Sequence, residues 1–543
     1  MNFLTKIKNF FSWESGSNRK IKSWVKWFVI FLLILFFIYC LLDLNPFHIY
    51  SDNLTDLQKT LYKFFLLNTV DEKNFANSNL WQINWIYFSK TIQYVVLGNF
   101  LGFIFAIFTS FYSTRKFHKN KFFIIFVRTL ILVLRILPVF VFISLISNSF
   151  NGILGATLII FWFTWIWLSS YLTNLFENTS DVEYWQMIYS GKSKLNSFYK
   201  NIILRNRPKI ILMYFLSLES NIRWTTVLGA VGISGIGFLF ELYQSRHEFL
   251  SVTILYMFIL ILSLEMIMLL FNKFLFNNFK LNTNSNIINN INYRKLQIAL
   301  FILLTVTFIL SVNIIREFEF KSINFNNFFR TLYRFLNPDF SDFNKLELNG
   351  WFWTLKIIKQ SYVCLVISIF FSLIYSIFMS EKINNWFVSY ILKTILSFFR
   401  MLPSIFIFYL LNIFLDSIGA MTWTLAFASF RGLTKYVSES INSIDIKYFE
   451  YYKIMKKNKF YIYRKLILPY IKKDLISYIQ LEFENICRDS LFYGAFTGWG
   501  LGNLYIIYDK KDNIEKISAI LIPITLLFVL FELISIYFRK TRR

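Results

Sequence analysis

Cysteine and histidine are nearly absent from this chain, which contains three of each in 543 residues. Cys40, Cys364 and Cys487 lie far apart, within or beside apolar stretches, so neither a disulfide framework nor a metal site is expected. His48, His118 and His247 fall in separate connecting segments without the acid or serine that a triad or metal centre would need. Charge is also sparse: 16% of residues are charged, and 57 bases outnumber 31 acids to give +26. The bases occur in short segments between apolar runs and form no continuous soluble face, which argues against nucleic acid as a partner. Sixty-seven phenylalanines accompany many Ile, Asn and Lys, the signature of an AT-rich coding bias, and do not by themselves imply stacking on bases.

What is abundant is apolar surface. Hydrophobic residues make up 56% of the chain and its mean hydropathy is +0.50, values that point to lipid as the solvent. A bilayer core of about 30 Å needs roughly 20 apolar residues in helix. Runs of that length recur at 24–42, 86–111, 122–146, 153–175, 210–231 and 249–271. They return at 296–315, 352–379, 387–414, 418–437, 475–496 and 517–538. The first run has bases before it and no small-residue cleavage site after it, so it is expected to be an uncleaved span. Segment 113–121 carries four Lys/Arg, 273–295 carries four with no acid, and the tail ends Arg539-Lys540-Thr541-Arg542-Arg543. These segments are expected on the cytoplasmic side, with both termini; the charge-balanced loops 44–83 and 316–350 are expected outside.

The two sets of runs are related. Arg135-Ile136-Leu137-Pro138 returns 265 residues later as Arg400-Met401-Leu402-Pro403. Glu219 and Arg223 return as Glu484 and Arg488, Gly229 as Gly494, and Gly235-Ile236-Gly237 as Gly500-Leu501-Gly502. The fold expected is an all-α polytopic membrane protein of about twelve transmembrane helices in two parallel six-helix repeats enclosing one pathway. The divisions are a first span and external loop (1–83), a first core (84–272), an Asn-rich linker (273–295), a seventh span and loop (296–350), a second core (351–538) and a basic tail (539–543).

Nothing in the chain offers catalysis. Ser190-Gly191-Lys192-Ser193 looks like the end of a phosphate-binding loop, but Gln186 stands where its first glycine belongs. Gly232-Ile233-Ser234-Gly235-Ile236-Gly237 reverses the spacing of a dinucleotide fingerprint. No enzyme activity and no cofactor are expected. An ion-coupled secondary transporter of twelve spans is the alternative to any transporter driven from outside the chain, although the loop at 113–121 lacks the Gly-Asp-Arg-Gly pattern such carriers often show.

The longest and most basic cytoplasmic connections are 177–209 and 437–473, and both read as short helices. They resemble the signature loop of binding-protein-dependent ABC importer permeases: Glu-Ala-Ala, three residues, Gly, about eleven more, then Leu-Pro. The second copy supplies Glu450 and Leu468-Pro469 with Lys456 at the glycine position; the first keeps Gly191, with Trp185 at the Glu position, Glu183 two residues earlier and Leu204 where the Pro would be. The segment from Glu219 through Arg223, Thr226, Gly229 and Gly232 to Gly237 resembles the fifth span of phosphonate-type permeases. The chain is also similar to the two-copy permease of mycoplasmal high-affinity transport systems, the likeness being stronger over 86–271 than over 352–538. The resemblance implies a type I importer (MetI-like) architecture, an ABC ATPase subunit, as a dimer, docking at the two loops, an extracytoplasmic substrate-binding lipoprotein and an anionic substrate.

Charges inside the apolar runs have meaning of their own. Each costs about 2.5–3.5 kcal/mol at mid-membrane and must be paired or face a cavity. Glu219 and Arg223 stand four apart in the favoured order for one helix face, as do Glu484 and Arg488. Two readings stay open for these residues and for Arg135 and Arg400: ion pairs that fix packing, or a gate and anion-selective lining. Pro138 and Pro403 are expected to open or kink their helices beside them. The glycine clusters at 229–237 and 494–502 are expected to be tight turns that end the fifth spans outside.

Overall fold

The computed structural model describes residues 12–541 apart from 16–17, 22, 51–53, 66–69, 72–77, 119, 148, 151, 230–234, 244–248, 272–304, 306–307, 310–311, 319–322, 443 and 457. The expected linker and most of the expected seventh span lie outside the described residues. The described chain is helical except for two short antiparallel pairs, β1 (Ser12–Ser15) with β2 (Asn18–Ile21) and β3 (Val70–Asp71) with β4 (Ser78–Asn79).

The helices before residue 272 are α1 (Ser23–Leu44), α2 (Leu54–Phe65), α3 (Leu80–Ser113), α4 (Lys121–Ile136), α5 (Val139–Ser147), α6 (Gly152–Asn178), α7 (Val182–Tyr189), α8 (Lys194–Phe198), α9 (Leu204–Leu228), α10 (Ile236–Leu242) and α11 (Leu250–Phe271). After it come α12 (Phe325–Leu336), α13 (Gly350–Met379), α14 (Trp386–Met401), α15 (Ser404–Asn412), α16 (Ser417–Asn442), α17 (Ile446–Ile454), α18 (Lys459–Ile462), α19 (Leu468–Thr497), α20 (Gly500–Asp509) and α21 (Ile514–Thr541). The order from α2 to α11 is the order from α12 to α21. Even the short π-helical stretch Tyr199–Ile203, between α8 and α9, has its counterpart in Tyr463–Ile467 between α18 and α19.

Five helices are long and apolar enough to cross a membrane: Trp24–Leu44, Leu80–Ser113, Gly152–Glu177, Gly350–Met379 and Ile514–Leu533. Two bent pairs, α4 with α5 and α14 with α15, raise the number to seven among the described residues. These pairs lie on the expected runs 122–146 and 387–414, and the break in each falls at Pro138 or Pro403, where the helix was expected to open or kink. The chain turns by 85° and 83° at Leu137-Pro138 and Leu402-Pro403. Proline has no N–H to continue the helical ladder and drives the residue before it out of the α region; Leu137 accordingly has φ −60° and ψ 134°. Helices α9, α16 and α19, of 25, 26 and 30 residues, are also long enough to span, but they carry the polar and charged side chains described below.

The chain forms two compact units that interleave along the sequence: Met1–Ser51, Leu355–Leu396 and Leu411–Ser490 in one, and Asp52–Thr354, Ser397–Leu410 and Leu491–Arg543 in the other. In the second unit α3 and α6 pack almost backbone to backbone. A Cβ on Gly98 would stand 2.7 Å from the Thr157 carbonyl oxygen, and one on Gly102 would stand 2.7 Å from that of Phe161. This is the Gly-x-x-x-Gly geometry of close membrane helix pairs. Beside it, Asn99 Oδ1 accepts hydrogen bonds from Ser217 (2.9 Å), Asn221 (2.8 Å) and Thr164 (3.2 Å), tying α3, α6 and α9 together without charge. In the first unit, Lys356 and Lys359 both reach Asp43 at 2.9 Å, so α13 neutralises the one acid of α1.

A polar network in the loop after α12 closes onto the start of α21. Lys516 and Tyr508 donate to Asp342 Oδ2 at 2.7 and 2.8 Å, Lys516 having the larger effect, and hold the Asp342 carboxyl below its ordinary range. A depressed carboxyl contributes stability that is complete above its unfolded value of about 4 and is lost as pH falls through the lower folded value. Protease protection of the 340–345 loop is therefore expected to hold at pH 5 and to fail only at strongly acid pH, and Asp342→Asn is expected to remove the acid transition. Loss of protection already at pH 5 would contradict the network.

Candidate functional site: two helical elbows and a charged interior

The first elbow is α7, a turn, and α8. Gly191 N–H donates to the Ile188 carbonyl at 3.0 Å and Lys192 N–H to that of Met187 at 3.1 Å, with Gly191 at φ +87°. That is the Schellman ending of a helix, whose left-handed residue is normally glycine. In the second elbow α17 closes with Met455 N–H donating to Tyr451 O at 3.2 Å, and the next residue, Lys456, is also left-handed at φ +51°. Lys456 stands where a glycine belongs in the signature loop, and its backbone adopts the conformation a glycine would supply. A side chain there costs roughly 1–2 kcal/mol. Lys456→Gly is expected to raise the thermal midpoint of the purified protein, by about 0.5–1 kcal/mol after the entropy of glycine is deducted. Gly191→Val is expected to lower it, and a neutral Gly191→Val would show that the turn carries no conformational demand.

Each elbow sits on a core of its own. Tyr184, Phe198, Ile202 and Ile210 pack against Phe111, Phe117 and Phe176 in the first. Burial there pushes the Tyr184 hydroxyl up to about 12. Trp185, at the position where the signature loop has Glu, donates its indole N–H to Lys116 O at 3.0 Å, while Glu183 is exposed and pairs with Arg205 at 3.2 Å. In the second, Phe449, Ile462, Tyr463 and Ile467 pack against Ile383, Ile441 and Ile444. Leu468 and the following Pro469 open α19. One lysine of each preceding loop caps the helix leading into the elbow: Lys116 reaches Thr179 O at 2.9 Å after α6, and Lys382 reaches Asn442 O at 2.6 Å at the end of α16. Cations at helix C-termini are stabilising there. Large apolar side chains are exposed on both elbows, Tyr189, Leu195 and Tyr199 in the first and Tyr448, Tyr451, Ile454 and Phe460 in the second, among exposed lysines such as Lys192, Lys194, Lys447 and Lys456. Glu450 is exposed in this second group.

The interior charges assemble in part. Glu219 is 3% exposed and accepts from Arg223 on its own helix. Arg400, at the end of α14, approaches the same carboxylate at 3.7 Å. Arg135, at the corresponding end of α4, lies 4.0 Å from Glu532 of α21 and 3.5 Å from Ser170 Oγ. Glu484 and Arg488 pair at 2.9 Å within α19. Pro138 and Pro403 stand at the bends, each three residues past its arginine, Arg135 or Arg400. Sequence reasoning missed Glu532, the Arg128–Glu177 pair, and the carboxylate of Glu482, which accepts from Ser429 at 3.2 Å. Acids inside long apolar helices were the available signal.

The glycines differ from expectation. Gly494 lies within α19, and Gly500 and Gly502 lie in the first turn of α20, so the turn itself narrows to Gly498-Trp499. In the first copy α9 runs to Leu228, just before Gly229, and α10 starts at Ile236, between Gly235 and Gly237. In both copies the glycines let one helix start fold back onto the preceding helix: a Cβ on Gly229 would stand 1.9 Å from the Gly237 backbone, and one on Gly494 2.6 Å from Trp499 O.

With this geometry in view, similarity to known proteins is informative. Residues 365–540 match the family of the binding-protein-dependent transport system inner membrane component. The match falls on the half that keeps Glu450 and Leu468-Pro469, the half where the resemblance was expected to be weaker. The whole chain is similar to the ABC transport system permease protein p69 of Mycoplasma genitalium, at 25% identity over 99% of this chain and 98% of that protein. The p69 of Mycoplasma pneumoniae is 26% identical over 84% and 85% of the two chains. A chain of the inward-facing MetNI methionine ABC transporter aligns over 37% of this chain and 99% of its own length, with 17% identity and a TM-score of 0.33. The family and relatives are permease components of membrane transport, and the apolar helices agree with a multi-pass membrane protein.

Proposed function

We propose that the chain forms the substrate pathway of a binding-protein-dependent ABC importer, two six-helix copies in one polypeptide, with both termini and both elbows in the cytoplasm. The observation that carries the reading is the pair of elbows. Each has a helix ended by a left-handed residue at the signature-loop glycine position, an apolar core of its own beneath it, and several large apolar side chains exposed among lysines. The chain has no nucleotide-binding motif, so the power stroke comes from a partner. An ABC ATPase dimer grips the surfaces around Gly191 and Lys456 and does work by binding one state of the permease more tightly than the other. A lipid-anchored binding protein delivers substrate from outside. Arg135 and Arg400, held near acids beside the bends, suit an anionic substrate such as a phosphonate or phosphorylated compound.

The test is co-expression with candidate ATPase subunits followed by purification through the permease. Co-elution that is lost with Tyr189→Asp or Ile454→Asp, with the permease still monodisperse, supports the reading. Failure to bind any ATPase in apo, ATP or vanadate-trapped states overturns it. A substrate-dependent rise in ATP hydrolysis on adding phosphonates would support the anionic assignment, and a response confined to cationic or neutral solutes would reject it.

A further inference from the structure

We infer that α2 and α12 are a matched pair of interfacial helices that lie in the headgroup layer of the outer leaflet and set the depth of the two cores in the membrane; this rests on the membrane reading above. The two helices share a sequence outside the register that relates the cores. Thr60-Leu61-Tyr62-Lys63-Phe64-Phe65 ends α2, and Thr331-Leu332-Tyr333-Arg334-Phe335-Leu336 ends α12. Each helix precedes the first long helix of its core. Both are short and amphipathic, and the motif tyrosine is exposed in both, Tyr62 at 67% and Tyr333 at 70%.

The contacts of α12 fix its level. Arg334 donates to both carboxylate oxygens of Glu515, at 2.6 and 3.0 Å, and to Asp512 at 3.1 Å. Ser518 Oγ donates to Phe335 O at 2.5 Å. These partners occupy the loop before α21 and its first turn, where the apolar span Ile514–Leu533 begins. The helix is thus bolted to the point at which the chain enters lipid. Its opposite face presents Phe325, Phe329, Tyr333 and Leu336, spaced four, four and three residues apart, all at least 60% exposed. Four large apolar side chains in one row at that level are unfavourable in water. Aromatic residues with a polar edge, and a cation turned back toward acids, are the composition of a helix that rests in the interface. Helix α21 also exposes large apolar side chains farther along, at Leu526, Leu530 and Leu533. Helix α2 packs against α11, the last helix of its own core, as α12 packs against α21.

The test places a nitroxide at Tyr62→Cys and at Phe329→Cys in the full chain reconstituted in nanodiscs without any binding protein. The native cysteines are buried and stay in place, with the unsubstituted chain as background. Leu530→Cys is the lipid-facing reference and Asn344→Cys the aqueous one. Collision with oxygen relative to a water-soluble nickel chelate is expected to be several-fold higher at 62 and 329 than at 344, and lower than at 530. Labels at 62 and 329 that match 344 would overturn the inference and leave a soluble partner as the occupant. Labels shielded from both reagents would also overturn it, as protein contact. If position 530 itself reads as aqueous, the membrane reading fails first.

Discussion

Glu219→Gln is expected to lower the stability of the folded permease by about 3–5 kcal/mol, the loss found when one partner of a buried ion pair is removed and the other is left. Glu219 accepts from Arg223 and stands 3.7 Å from Arg400, so neutralising it takes one carboxylate partner away from two guanidinium groups. The thermal midpoint in detergent reads this directly. The same cluster separates the two roles left open for these charges. A triple variant, Glu219→Leu with Arg223→Leu and Arg400→Leu, removes the three charges together; it is expected to recover much of the stability, since apolar replacements of buried ion pairs are commonly neutral or better. If the charges form a gate, proteoliposomes of the triple variant will leak a trapped small anion while the wild type retains it. A triple variant that is stable and tight would assign the cluster to packing alone, and a Glu219→Gln protein as stable as wild type would remove it from both roles.

The second large effect is expected at the glycine crossings. A Cβ on Gly237 would stand 2.1 Å from Thr225 O, and one on Gly502 would stand 2.1 Å from Leu491 O and 2.5 Å from Ala495 N. All of these are backbone atoms, so no side chain can swing away and the two helix segments must separate. Overpacking inside a core typically costs 1–3 kcal/mol, and a backbone collision belongs at or above the upper end of that range. Gly237→Ala and Gly502→Ala are each expected to lower the yield of monodisperse protein sharply. Gly498→Ala is the control: it has φ +67° with nothing within 4 Å of the added methyl, so it carries only the conformational strain of about 1–2 kcal/mol. Equal tolerance of alanine at 237, 498 and 502 would show that the crossings are loose.

Much of the site was legible because its chemistry is local. Arg135 and Pro138 announce a bend, since a proline's effect on its helix depends on the residues just before it. The i, i+4 pair Glu219–Arg223 follows from helix geometry alone. Gly191 and Lys456 were aligned by a motif, and the backbone then supplied the reason for the alignment. What misled was equally physical: a run of glycines reads as a turn, yet Gly494 stays helical because glycine is also the residue that lets two backbones touch. The pairing of Gly98 and Gly102 with α6 escaped because spacing alone does not name the partner helix.

Composition and apolar run length pointed by themselves to a chain that crosses lipid several times, and the recurrence of polar residues at one offset pointed to two like parts, because those properties depend on what each short segment can do in water or hydrocarbon. Only the tertiary structure decided that Glu219 answers to Arg400, that Arg135 faces Glu532, and that each elbow rests on its own aromatic core. Those partners are far apart in the chain and meet through side-chain packing, in which one methyl group or one bent helix redirects a contact.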